Sequence, residues 1–182
     1  MTGVAVRDSV EADVVRCRDI YAHHVLTGTA SFEIDPPDVA EMSRRRASVL
    51  DQGLPYLVAE REGRVLGYAY ASNWRPRPAY RHSVENSIYI DKDAVRQGIG
   101  MALLPVLIER CTTLGRRRMV AVIGDSAQTP SISLHAACGF QMVGVLPSIG
   151  FKFGRWLDSV MMQRPLGPGD TTLPFVEASR RN

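Results

Sequence analysis

The chain has only three cysteines, Cys17, Cys111 and Cys138. They are odd in number and form no C-x-x-C pair, which argues against both a disulfide framework and a cysteine zinc site. Each sits among apolar neighbours at helical spacing, where a buried, inert thiol in a reducing cytoplasm is expected. No apolar run approaches the ~20 residues that cross a bilayer, and the N-terminal residues lack the basic, apolar and cleavage regions of a leader, so no membrane partner is expected. Aromatic residues are sparse and do not interleave with the basic runs Arg44-Arg45-Arg46 and Arg116-Arg117-Arg118. Those runs therefore read as solvated helix ends and faces rather than a nucleic-acid surface, in keeping with a net charge of only +3. His23 and His24 would point about 100° apart on a helix and cannot share a metal, so no metal is expected.

What remains is a single domain's worth of alternating elements. Residues 4–7 suit an opening strand. Asp8 or Ser9 can cap a helix with apolar positions at Val10, Val14, Cys17, Tyr21 and Val25, ended by Gly28. Residues 29–34 are expected to be extended, and Pro36-Pro37 precede a helix capped by Asp38 that runs to Leu50 and stops near Gly53. Residues 56–60 and 65–70 flank a Glu62-Gly63-Arg64 turn, as a hairpin does. A Pro-rich loop over residues 73–80 leads to a strand at 83–90. A helix from Ile99 to about Leu114 contains Pro105, where a kink or an early break is expected. The continuous apolar run 119–123 suits a strand buried on both faces. A short helix over 131–138, ended by Gly139, and strands at 140–146 and 156–163 complete the domain. Strands first, then helix and strand alternating, indicate an α/β mixed sheet flanked by helices on both faces. The domain is placed at residues 1–165, with a tail at 166–182 free to move unless a partner subunit holds it.

The turn Arg96-Gln97-Gly98-Ile99-Gly100 enters the third helix directly. Glycines there let backbone approach a ligand, and the N–H groups and dipole of a helix start suit a pyrophosphate. A helix entry with no ligand would explain the glycines equally well. No Gly-Lys-Ser/Thr follows, and the third glycine of a dinucleotide fingerprint is missing, so neither of those motifs applies.

This turn, followed by Ser131 to Phe140 with its Gly139-Phe140 ending, resembles the R/Q-x-x-G-x-G/A signature of the GNAT acetyltransferase superfamily, with Val95 at the R/Q position. Residues 80–85, 120–126 and above all Gly150 to Asp158, a G-x-K-x-G-x-W-x-D stretch, resemble the phosphinothricin and methionine sulfone or sulfoximine N-acetyltransferases, over roughly residues 3–165. The resemblance implies the GNAT fold, a homodimer and acetyl-CoA as co-substrate without a metal. It places cofactor contacts at Ile88, Tyr89, Ile90, Arg96, Gln97, Gly98, Ile99, Gly100, Gln128 (where the family usually has Asn) and Ser131.

Glu85 lies mid-strand in an apolar segment. As a partly desolvated carboxylate it would be a base near neutrality, while alternation also allows a solvent-facing residue. The resemblance assigns it the general-base role and puts His135 at the place of the acid, where an imidazole can exchange protons near pH 7. A backbone N–H near Val122 could meet the carbonyl oxygen. Arg75 and Arg77, in a Pro-flanked loop, suit a carboxylate or phosphinate; matching positions, with Tyr80 and Phe32, imply the substrate side. The expected reaction moves an acetyl group to the α-amine of a small amino-acid analogue. Another amine, in an arsenical amino acid or a peptide N-terminus, and a non-catalytic acyl-CoA-binding module are the alternatives; the latter would need neither Glu85 nor His135.

Overall fold

The computed structural model describes residues 3–174. Its seven strands are β1 (Ala5–Asp8), β2 (Tyr56–Arg61), β3 (Arg64–Asn73), β4 (Ser83–Ile90), β5 (Arg118–Gly124), β6 (Gln141–Lys152) and β7 (Arg155–Pro165). They form one sheet in the order β1-β2-β3-β4-β5-β7-β6. All neighbours are antiparallel except β4 and β5, which are parallel. The helices are α1 (Val14–Thr27), α2 (Val39–Asp51), α3 (Ile99–Thr113) and α4 (Thr129–Ala137). This is the expected mixed sheet with helices on both faces.

Side-chain alternation along β4 sorts the two layers. Tyr89 meets Tyr21 of α1 edge-on at 4.8 Å, so odd-numbered residues of β4 face α1 and α2. Even-numbered residues face α3: a Cβ on Gly67 of β3 would touch both Ile90 (2.9 Å) and Ile99 (3.0 Å). The α3 layer is held by Ile99, Leu103, Leu104, Leu107, Ile108 and Cys111, all buried. The β2–β3 turn has positive φ at both Glu62 and Gly63, as a tight hairpin with right-handed strand twist requires.

Several local expectations are corrected. A short 3-10 turn, Glu11–Asp13, precedes α1, so neither Asp8 nor Ser9 caps it. Ser9 instead accepts from Arg46 at 2.8 Å. Residues 29–34 form no strand; their partners are side chains. Pro105 does not end α3, which runs on to Thr113. Pro105 faces solvent, where water can satisfy the carbonyl it leaves unpaired. β6 extends six residues past Leu146, to Lys152, through a register shift between Leu146 and Gly150 that spans Pro147. An edge strand and a bulge are the places a sheet tolerates proline. Asp38 caps α2 as expected, accepting from the Glu41 N–H at 2.7 Å.

The packed body also continues past Pro165. Leu166 is fully enclosed, and Arg117 donates to the carbonyls of Gly169 (3.3 Å) and Leu173 (3.0 Å). The last part of the expected tail lies outside the described residues. Leu166→Ala is expected to cost about 2–5 kcal/mol, the usual penalty for a cavity at a fully buried leucine, measured by denaturant unfolding.

Candidate active site

β4 and β5 pair through only four positions, from Ser83↔Arg118 to Asn86↔Ala121. Beyond them Ser87 to Ile90 and Val122 to Gly124 share no ladder and part into a notch. Parallel strands that separate leave backbone N–H and C=O groups facing the gap, and those groups need a partner. The notch opens into a cavity of about 270 Å³ whose walls include Phe32, Glu85, Val122, Gln128, Ser131 and His135.

The two expected catalytic residues approach the notch from opposite faces. Glu85, being odd-numbered on β4, lies on the α1/α2 face, half-buried. Burial pushes its carboxyl pKa up, and the Arg75 guanidinium opposes that rise. His135 of α4 stands on the other face, 2% exposed. Its Nδ1 is 2.8 Å from the Ser131 carbonyl and its Nε2 is 3.0 Å from Asn86 Oδ1. Asn86 is oriented by its own amide, which donates to the Val120 carbonyl at 3.0 Å. Both atoms facing the ring are thus acceptors, and either neutral tautomer leaves one nitrogen lone pair against an oxygen. Burial lowers the His135 pKa, while the Ser131 carbonyl raises it. Desolvation outweighs that hydrogen bond, so the net shift is downward and a second proton on the ring is disfavoured. Asn86 was missed in the sequence, although a polar residue inside an apolar strand beside Glu85 was its visible signal.

The turn before α3 carries the anion-binding geometry. Gly98 is left-handed at φ 80° and caps the helix without a side-chain cap bond, and the first turn holds no acidic residue. Its N–H groups and dipole are therefore available to phosphates. Arg96 also has a positive φ. Gly100 has a further reason: a Cβ there would meet Leu134 of α4 at 2.8 Å, so it lets the two helices close on each other. The Gln97 side chain is occupied, donating to the Asp93 carbonyl at 2.9 Å and accepting from Arg61 at 3.0 Å. Gln128 donates to Thr29 Oγ1 at 3.0 Å. Ile88 and Tyr89 line the notch, while the Ile90 carbonyl is held by His24 Nε2 at 2.7 Å.

Among the substrate-side residues, Phe32 is a wall of the cavity and Val122 lies beside it. Arg75 lies over Trp74 at 5.0 Å and close enough to Glu85 to act on its pKa. Arg77 and Tyr80 are exposed on the loop and do not line the cavity. A wider groove of about 550 Å³ runs under α2, against Tyr56, Tyr68 and Tyr70. Its rim arginines are already paired, Arg45 with Glu33 and Arg44 with Glu41, both at 2.7 Å. The smaller cavity holds the reactive groups. All three cysteines are buried away from it, and burial pushes Cys17 and Cys111 up to about 12, so none is a nucleophile at neutral pH.

Comparison with known proteins agrees with this fold. The acetyltransferase (GNAT) domain model matches residues 6–161. A phosphinothricin N-acetyltransferase of Alcaligenes faecalis is 60% identical over 93% of this chain and 84% of its own length. An L-methionine sulfoximine/L-methionine sulfone acetyltransferase of Pseudomonas aeruginosa is 41% identical over 90% and 95%. The crystal structure of a phosphinothricin acetyltransferase from Sinorhizobium meliloti in complex with acetyl-CoA superposes with a TM-score of 0.93 at 49% identity, covering 99% of this chain and 97% of that one.

The raised pKa of Glu85 has a thermodynamic consequence. A carboxyl whose folded pKa exceeds its unfolded value contributes stability at acid pH and loses it as pH rises through the folded value. Glu85→Gln is therefore expected to be at least as stable as the parent at neutral pH. Its advantage should disappear towards acid pH, as read by denaturant unfolding across a pH series.

Proposed function

The chain belongs to the GNAT acetyltransferase family as an acetyl-CoA-dependent N-acetyltransferase, and on that premise we propose that it acetylates the α-amine of a small amino-acid analogue of the phosphinothricin or methionine sulfone/sulfoximine type. The supporting observation is Glu85: a half-buried carboxylate with a raised pKa at the strand notch, with Arg75 nearby. The names of the similar proteins point to the same acceptor class.

Acetyl-CoA supplies the activated acyl group as a thioester. The α3 N-terminus, with Gly98 and Gly100, takes its pyrophosphate, and the open edges of β4 and β5 take the arm that follows. An α-amine titrates near ~8, so a large fraction must lose a proton before it can attack. Glu85 takes that proton; the raised pKa brings it closer to the amine's. The amine nitrogen then bonds to the acyl carbon, whose oxygen is stabilised by the Val122 backbone N–H. As the carbon–sulfur bond breaks, the nitrogen loses its surplus proton and one proton reaches the sulfur through His135 from the opposite face, so that the only proton left over is the one on Glu85, which returns to solvent. Arg75 and Arg77 attract the acid group of the acceptor, with Tyr80 beside them.

The partner is a second copy of the chain. On the edge strand and its hairpin, Val143, Ile149, Phe151, Phe153 and Trp156 are each more than half exposed. A face this apolar marks an interface, and it flanks the Phe32 wall. Trp156→Asp is expected to convert a dimer to a monomer in sedimentation, without loss of fold. The buried free thiols fit a reducing cytoplasm.

CoA release with acetyl-CoA across phosphinothricin, methionine sulfone, methionine sulfoximine, an arsenical amino acid and peptide amines decides the acceptor. Turnover confined to peptide amines would replace the amino-acid assignment. Tight acetyl-CoA binding with no turnover on any amine would leave only a binding module. For the mechanism, Glu85→Gln is expected to lower kcat/KM by roughly 10²–10⁴, most strongly on the acid side of the profile. An unchanged pH–rate profile would remove Glu85 from the base role.

A further inference from the structure

The Gly150 to Asp158 stretch takes no part in the proton and acyl chemistry above, yet its residues have defined partners. Gly150 faces the Phe32 ring, and a Cβ there would overlap it. Gly124 of β5 faces the other edge, where a Cβ would lie 2.8 Å from Phe32. The ring is thus wedged between two glycines. Phe153 and Gly154 both have positive φ and make the hairpin turn. Asp158 accepts from Ser126 at 2.6 Å and from the Ser148 N–H at 3.0 Å, tying the turn between β5 and α4 to the bulge in β6.

Lys152 is the unusual member. It is 4% exposed and forms no ion pair among the described residues. Its Nζ donates to the carbonyls of Gly28 (3.0 Å) and Ser31 (2.7 Å) and lies 5.0 Å from the Phe153 ring. Its two hydrogen-bond acceptors are neutral, and burial lowers its pKa while the nearby Glu33 charge opposes that; a buried ammonium is costly and persists where its acceptors hold it closely. The carbonyls belong to the segment between α1 and α2 that forms no strand. That segment is tied further by Tyr21 to Ser31 (2.8 Å), Gln128 to Thr29 (3.0 Å) and Arg45 to Glu33 (2.7 Å).

We propose that Lys152 is a positioning residue for acetyl transfer: its ammonium clamps the Gly28 and Ser31 carbonyls, so that Phe32 stands as a fixed wall of the acceptor cavity. The inference rests on the assignment of that cavity to the acceptor. The pyrophosphate site lies on other elements, at the start of α3, so the clamp acts on the acceptor alone.

The test compares Lys152→Met, Phe32→Ala and the double variant in the full chain. Acetyl-CoA affinity is read by calorimetry, acceptor KM and kcat by CoA release, and backbone protection of residues 28–33 by hydrogen exchange. Lys152→Met should keep the acetyl-CoA Kd within about twofold while the acceptor kcat/KM falls roughly ten- to a hundredfold, mostly through KM. Exchange over residues 28–33 should rise. Because Lys152 acts through Phe32, the double variant should match Phe32→Ala alone. An unchanged acceptor KM, or losses that multiply in the double variant, would overturn the proposal. Should Lys152→Met fail to fold, Gly150→Ala approaches the same wall without touching the ammonium. Its methyl group must displace the Phe32 ring, and the same acceptor-selective loss is expected; an unchanged acceptor KM there also overturns the clamp. Absence of turnover in the parent chain would instead refute the acceptor assignment, while hydrogen exchange still reads the clamp.

Discussion

The parting of β4 from β5 after Asn86 and Ala121 is the constraint on which the rest of the site depends. A parallel pair would ordinarily run its ladder to the ends of both strands. Here four pairs form and then both strands go on separately. The gap gives one opening reached from both faces of the sheet. Through that opening Glu85 and His135, which sit on opposite faces, line one cavity. The Asn86 side chain closes the last paired position, donating to the Val120 carbonyl and facing His135. It therefore joins the geometry of the notch to the proton on the imidazole.

The helices complete the division of labour. α3 crosses from β4 to β5 with no side-chain cap at its N-terminus, and Gly100 there allows α4 to close alongside. α1, α2 and the segment between them cover the opposite face, where Glu85 and Phe32 stand. On the proposed reading, phosphate binding sits on one layer and acceptor binding on the other. An enzyme built this way can change its acceptor by altering the second layer while the first stays fixed.

Much of this was legible in the sequence because the signals were local. Continuous apolarity over residues 119–123 marked a strand covered on both sides except at Val122, which is exposed beside the notch, and Gly98 before an apolar-periodic helix marked the left-handed entrance to α3. Glu85 stood out as a charge in an apolar strand. The less legible parts depend on contacts between distant segments. Residues 29–34 look extended, since Thr29, Phe32 and Ile34 favour strands, but Lys152, Tyr21 and Gln128 hold them as a loop. The sequence placed Lys152 in the most specific stretch without a role, because its partners are backbone carbonyls more than 120 residues away. Leu166 looked like the start of a tail, yet it is buried by packing that no local pattern announces.

The same distinction separates what the acetyl transfer requires from what sets its acceptor. In the proposed mechanism a helix N-terminus, a strand notch and a carboxylate supply the chemistry, and none of them distinguishes one small amine from another. Discrimination needs a wall of fixed position, and a phenylalanine on an irregular loop has no such position by itself. Loops owe their mobility to backbone groups that lack ladder partners. Here two of those carbonyls are held by a buried ammonium, and the ring beyond them is confined between two glycines. If that anchorage fixes the cavity, as proposed, specificity is a property of the loop's anchorage as much as of the side chains facing the acceptor.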